Sequence, residues 1–317
     1  MPKKIAVLFS DLTDKRLKKI IDAATGYKVL SGEDAKADIG NCEIIFGHVE
    51  PDLITLAKNL KWLHTQSAGV DYYLKPEMGL PDSVILTNSA GMHGISISEH
   101  MLAFTLMLMR HMHSYIKQQP QHKWENLGPV NSIYQSIITV VGLGGIGSQY
   151  ATRCRALGAT VRGVVRSPRA DIPDCVNTLV TIDKLDNAIA DADVVALTLP
   201  STLETAQLFD KNRMLKMKKG ALILNIGRGS AIDQDAMIEL LKSGHLGGAG
   251  LDVTEPEPLP ADSELWDLPN VILTPHISGG GILDLTSDLI VDRFIDYLKD
   301  YILGKRFERI VDRKAGY

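Results

Sequence analysis

The stretch IITVVGLGGIGSQYATRCRALGATVRGVVRS, Ile137–Ser167, decides how the chain folds. An uncharged run ends at Gly142, a glycine-rich turn follows, a helix-forming segment begins near Gly147, and a second apolar run closes the stretch. Gly142, Gly144 and Gly147 stand in G-x-G-x-x-G spacing. The first glycine of such a turn allows the tight bend and the second lets the backbone approach a pyrophosphate. The third permits close helix packing, and the helix N-terminus adds partial positive charge. A strand before, a helix after and a second strand at the right distance make the pattern specific for a dinucleotide.

The second strand ends in VVRSPR. An NAD site usually places an acid there to accept from the adenosine ribose hydroxyls. Val165 stands at about that place instead, and Arg166, Ser167 and Arg169 follow, a set able to neutralise and hydrogen-bond a ribose 2′-phosphate. NADP(H) is the expected cofactor, with NAD(H) possible.

Outward from this unit, short apolar runs alternate with helical segments. KIAVLF, CEIIFGH and VILTN precede it, and DVVALTLP, ALILNIG and VILTPHI follow. Runs apolar on both faces suit strands of a parallel sheet covered by helices, so the expected class is α/β and doubly wound. At 317 residues the chain suits two domains. The polar loop Lys117–Ser132 reads as a crossing between domains, and a final helix from about Ile282 to Leu303 could return to the first. The expected division is 1–99 with 281–317, a discontinuous substrate domain, and 100–280, the dinucleotide domain.

Composition narrows the classes. With 45% hydrophobic residues, 23% charged and a net charge of −4, there is no basic footprint for nucleic acid. Three unpatterned cysteines, Cys42, Cys154 and Cys175, point to a reducing compartment, read as the cytoplasm. The apolar run after Lys4 is too short for a signal peptide and reads as a strand. Met101–Met109 falls short of a membrane span and reads as a helix apolar on all sides, sandwiched between domains or subunits. His111 and His113, two apart on a helix, face different ways, and no metal is expected.

Three stretches carry chemistry. LILNIGRGSA, Leu222–Ala231, ends an apolar strand by setting Arg228 between two glycines. In an open α/β sheet ligands lie beyond the carboxyl ends of the strands, and a planar, permanently charged fork suits a carboxylate. AGLDVTEPEPLP carries Asp252, Glu255 and Glu257 in a proline-rich loop after a strand, and VILTPHISGGG carries His276 at the end of the next. Histidine exchanges protons near neutral pH, and a neighbouring carboxylate favours its protonated, proton-donating form.

These stretches, with TLPSTLET, QSAGVDYY and NSAGMHGISISEH, resemble the motifs of the D-2-hydroxyacid dehydrogenase family, in its order, from about Lys61 to Gly280. The VVRSPR segment is similar to NADP-preferring members of a glyoxylate/hydroxypyruvate reductase-like branch. The resemblance implies a flavodoxin-like substrate domain beside the dinucleotide domain, with a cleft between them. It implies an Arg, Glu, His catalytic set that falls on Arg228, Glu257 and His276, with Glu257 rather than Glu255 matching the family's acid. It places the amides of Ala68 and Gly69 on the substrate carboxylate. It assigns cofactor contacts to Gly145, Ile146, Pro200, Thr202, Ile226, Gly227 and Asp252, the last on the nicotinamide carboxamide. A small 2-oxo acid would be reduced to the D-2-hydroxy acid; the long apolar helix, separately, points to a homodimer. Two alternatives stay open: a 3-phosphoglycerate dehydrogenase using NAD, and a nucleotide-sensing, corepressor-like binding protein. The part before Lys61 matches nothing sharply.

Overall fold

The computed structural model describes residues 2–279 and 283–316. The chain divides into two compact units, Met1–His93 with Gly281–Tyr317, and Gly94–Gly280. The first holds β1 (Lys3–Leu8), β2 (Tyr27–Ser31), β3 (Ile44–Gly47), β4 (Trp62–Thr65) and β5 (Ile85–Asn88) in the order β2-β1-β3-β4-β5. All neighbours are parallel, which is flavodoxin-like winding. The second holds β6 (Ile137–Val141), β7 (Thr160–Val165), β8 (Thr178–Thr181), β9 (Val194–Leu197), β10 (Ala221–Asn225), β11 (Leu246–Leu251) and β12 (Val271–Leu273). Their order, β12-β11-β10-β9-β6-β7-β8, puts the switch in winding between β6 and β9.

The strands sit where the apolar runs put them, and β3, β9 and β10 are buried at every position. Four strands lie outside those runs: glycine-rich β11, expected only as the strand before the acidic loop, and three that escape the reading altogether. β2 and β8 are sheet edges, partly exposed and mixed in character. β4 is fully buried, yet half of it is the polar pair His64 and Thr65.

The expected boundary after residue 99 cuts an element the structure keeps whole. The helix Gly94–Met109 lies entirely in the second unit, so the division falls at His93/Gly94. Its Phe104 packs so closely on β11 that a Cβ on Gly250 would come within 2.9 Å of it. Nor is this helix enclosed on all sides within its unit. Leu106 is 42% exposed, and Ala103, Leu106, Met107 and Arg110 border a groove of about 670 Å³. The expected return point at 280/281 and the expected helix start at Ile282 lie outside the described residues; the last helix runs Asp284–Ile302. In the first unit it packs Ile290, Val291, Phe294 and Leu298 onto the core with Ile5, Phe46 and Trp62. Among the described residues no helix is long and apolar enough to cross a membrane.

Candidate active site

The glycine turn lies between β6 and the helix Gly145–Ala156, at the switch in winding. Gly142 has φ 98°, a left-handed conformation that favours glycine. A Cβ on Gly147 would stand 2.0 Å from the carbonyl oxygen of Gly142, so helix and turn touch directly there. A Cβ on Gly144 would meet no atom within 4 Å. Gly144 caps the helix without a side-chain acceptor, which leaves the first N–H groups of Gly145, Ile146 and Gly147 for an anion. Open space over the second glycine and crowding at the first and third fit a dinucleotide pyrophosphate.

Around this turn the other expected cofactor residues fall at strand ends of the same unit. Val165 closes β7 and is buried, while Arg166, Ser167 and Arg169 are exposed beyond it. Arg169 donates to the carbonyl of Leu143 at 3.0 Å, which ties the basic loop to the glycine turn. Arg166 lies 3.8 Å from Glu204, in the loop that follows β9. That loop is pinned by Thr205, whose hydroxyl donates to the carbonyl of Pro200 and accepts from the amide of Thr202. Ile226 and Gly227 follow β10, and a Cβ on Gly227 would come within 2.5 Å of the Leu199 carbonyl oxygen.

Arg228 is the next residue. The polar residue that ends the apolar run, Asn225, explains the turn that presents it. Buried to 1% exposure, Asn225 accepts from the amide of Gly227 at 3.1 Å and donates to the carbonyl of Arg228 at 2.8 Å. Gly229 then passes so close to Thr254 that a Cβ would stand 2.0 Å from its carbonyl oxygen. The arginine turn is thereby packed on the loop carrying the acids. In that loop Glu257 accepts from the amide of Thr254 through Oε1, at 3.1 Å, and meets Nδ1 of His276 through Oε2, at 2.8 Å. Glu255 is held elsewhere, its backbone exchanging hydrogen bonds with Gln234. The structure thus brings Glu257 and His276 into direct contact and leaves the Nε2 edge of the ring for other chemistry.

His276 has φ 53°, costly for a residue with a Cβ, and several bonds hold it there. Its amide donates to the carbonyl of Asp252 at 2.8 Å. The buried carboxylate of Asp252 accepts from the amides of Ile277 and Ser278 at 2.9 and 3.0 Å, from the Thr274 hydroxyl at 2.6 Å, and from the hydroxyl of Ser278. Thr274, donating to Asp252, accepts from His100 Nε2 at 3.0 Å, which assigns the ring proton to Nε2. Burial pushes the pKa of His100 down, and Asp252 opposes this. The role seen for Asp252 is to frame the histidine turn. Asn225, Thr274, Ser278 and His100 belong to this frame and were not singled out for it by motif or spacing; for Asn225 and Thr274 the signal was a polar residue at or just after the end of an apolar strand, whereas His100, on the helix Gly94–Met109, carried no such signal.

In the first unit, the loop after β4 carries Ala68 and Gly69. Three of its carbonyls are tied down by the end of β5 and the segment after it: Asn88 donates to Ala68 at 2.7 Å, the Ser89 amide to Ser67 at 3.1 Å, and His93 Nε2 to Gln66 at 3.1 Å. Beneath them runs a directed chain. Trp62 donates to the Thr87 hydroxyl at 2.8 Å, Thr87 to His64 Nδ1 at 2.7 Å, His64 Nε2 to Ser89 at 3.2 Å, and Ser89 to the carbonyl of Thr65 at 3.1 Å. Burial pushes the pKa of His64 down to about 3. Among the described residues no group of three or more His, Cys, Asp or Glu side chains could hold a metal ion.

With this geometry in place, likeness to known proteins is informative. The model of the D-isomer specific 2-hydroxyacid dehydrogenase NAD-binding domain matches residues 102–278. A D-3-phosphoglycerate dehydrogenase of Synechocystis sp. is 34% identical over 81% of this chain, which covers only 45% of that enzyme. A solved D-isomer specific 2-hydroxyacid dehydrogenase family protein from Aeromonas salmonicida superposes with a TM-score of 0.86 at 32% identity, covering 99% of this chain and all of that one. An NADPH-dependent glyoxylate/hydroxypyruvate reductase from Sinorhizobium meliloti, solved with NADP and sulfate, gives a TM-score of 0.84 at 27% identity, covering 99% of this chain and all of the other. The chain belongs to the D-isomer specific 2-hydroxyacid dehydrogenase family.

Proposed function

We propose that the protein is an oxidoreductase that reduces a small 2-oxo acid, such as glyoxylate or hydroxypyruvate, to the D-2-hydroxy acid, preferring NADPH to NADH. The observation that carries this reading is the Glu257–His276 contact, in a loop packed against the turn that presents Arg228. Arg228 binds the substrate carboxylate through its charged fork, and the amides of Ala68 and Gly69 take the same carboxylate by likeness to the family's substrate loop. The nicotinamide, when bound, supplies a hydride to C2. His276 delivers the proton to the carbonyl oxygen through Nε2, since Nδ1 is engaged by Glu257. Glu257 fixes the ring and offers a counter-charge to its protonated form.

The basic residues Arg166 and Arg169, with no carboxylate at the end of β7, support the preference for NADPH. They also weigh against an NAD-dependent 3-phosphoglycerate dehydrogenase. The test is initial rates with glyoxylate, hydroxypyruvate, pyruvate and phenylpyruvate, each with NADPH and NADH. Reduction of at least one, faster with NADPH, is the expected result; no turnover of any would favour a nucleotide-sensing binding protein instead.

Two further readings accompany this one. The groove bordered by Leu106 and Met107, with Met112 48% exposed beside it, supports a homodimer through this face, which light scattering after size exclusion would test. The three free thiols support a reducing compartment, the cytoplasm.

A further inference from the structure

One cluster of polar side chains in the first unit lies outside every role assigned above. Beyond the carboxyl end of β3, His48 donates from Nε2 to Glu50 Oε1 at 3.0 Å, and the Tyr72 hydroxyl donates to Glu50 Oε2 at 2.6 Å. The Tyr73 hydroxyl meets His48 Nδ1 at 3.2 Å, which leaves Nε2 as the nitrogen that carries the proton toward Glu50. The rings of His48 and Tyr72 lie 5.1 Å apart. Tyr73 is buried in the core of the unit, whereas the side chains of His48 and Glu50 stand at the surface, 44% and 62% exposed.

Its position gives it meaning. β3 and β4 are adjacent and parallel, with Phe46 opposite His64, so the segment 48–50 and the loop bearing Ala68 and Gly69 leave the sheet side by side at its carboxyl edge. Tyr72, three residues past Gly69, ties the two together through Glu50. Ligands of open α/β sheets lie beyond that edge. The hydrogen bonds from Tyr72 and His48 push the pKa of Glu50 below the usual glutamate range, so it stays ionised at neutral pH. No lysine or arginine is paired with it among the described residues.

We propose that Glu50 is a specificity-determining residue, selecting against 2-oxo acids that carry a second negative charge, phosphate or carboxylate, and favouring an uncharged or hydroxyl-bearing side chain. The inference rests on the proposed activity and on the Ala68–Gly69 loop receiving the substrate carboxylate. A fixed carboxylate beside that loop rejects a like charge and accepts a hydrogen bond from a hydroxyl. Glyoxylate has no side chain and is insensitive to it. The chain's likeness to both phosphoglycerate dehydrogenases and glyoxylate/hydroxypyruvate reductases is thereby resolved toward the uncharged side chain.

The test compares kcat/KM for glyoxylate, hydroxypyruvate, 3-phosphohydroxypyruvate and oxaloacetate in the wild type, Glu50→Gln and Tyr72→Phe. Relative to glyoxylate, Glu50→Gln raises the two doubly acidic substrates by about tenfold or more and lowers hydroxypyruvate severalfold. Tyr72→Phe keeps the charge and the wild-type order of preference. Glyoxylate turnover with parallel changes for all four substrates, or a wild type that prefers the phosphorylated acid, would overturn this proposal alone. No turnover of any substrate by the wild type would overturn the proposed activity and this inference with it.

Discussion

His64 is the residue through which pH should reach the first unit. It is wholly buried, bonded on both nitrogens to neutral hydroxyls, and held neutral with a pKa of about 3 against an ordinary 6.5. Between these two values the unfolded chain takes up a proton that the folded one refuses, so stability is lost as pH falls from 6.5 toward 3. From pH 7.5 to 5.0 the folded ring stays neutral while the unfolded one gains most of a proton. At about 1.4 kcal/mol per pH unit the loss is on the order of 2 kcal/mol from this residue alone. Urea unfolding at both pH values, for the wild type and for His64→Gln, isolates the effect by difference. Other histidines and the carboxylates contribute equally to both proteins and cancel. The wild type should lose about 2 kcal/mol more than the variant over this interval, whatever the variant costs at pH 7.5. Equal losses would refute the neutral, hydroxyl-bonded ring and with it the directed chain that anchors Thr65 and Ser89.

Gly144→Val places a side chain in open space, so it should leave thermal stability nearly untouched while weakening NADPH binding about tenfold or more by fluorescence titration. Gly147→Ala, with its Cβ 2.0 Å from a carbonyl oxygen, should instead cost about 1–3 kcal/mol in a urea titration. Asp252→Asn cannot accept all four donors, and the strained His276 turn should loosen; kcat for the 2-oxo acid falls at least tenfold, with KM moving less. Combined Arg166→Ala and Arg169→Ala substitution should cut the NADPH-over-NADH ratio of kcat/KM by about tenfold or more, through the NADPH value with the NADH value little changed.

Much of this was readable in the sequence where one residue type satisfies one demand. Glycines at fixed spacing announce the turn, since a Cβ would crowd the backbone at Gly142 and Gly147, and apolar runs announce β6, β9 and β10, where nearly every position is buried. The doubly wound class and the family follow from these stretches. β4 was harder, because His64 and Thr65 are buried only by virtue of partners on β5 that are distant in sequence. The helix Gly94–Met109 looked uniformly apolar, yet which side its own sheet covers depends on Gly248 and Gly250, again remote. At the site, Arg228, Glu257 and His276 could be named from motif likeness, whereas the frame of Asn225, Asp252, Thr274 and His100 emerges only from distances. Glu50 could not be noticed at all until β3 and β4 were known to be neighbours.

The proposed role of His276, oriented by Glu257, is to supply the proton for reduction of a 2-oxo acid. Its most direct measurement is pre-steady-state oxidation of NADPH by His276→Ala in the presence of glyoxylate, alongside the NADPH dissociation constant of the same variant. Reduction slowed about 10²-fold or more, with the dissociation constant within a few-fold of the wild type, is the expected result. Reduction at the wild-type rate by a variant that still binds NADPH would contradict it.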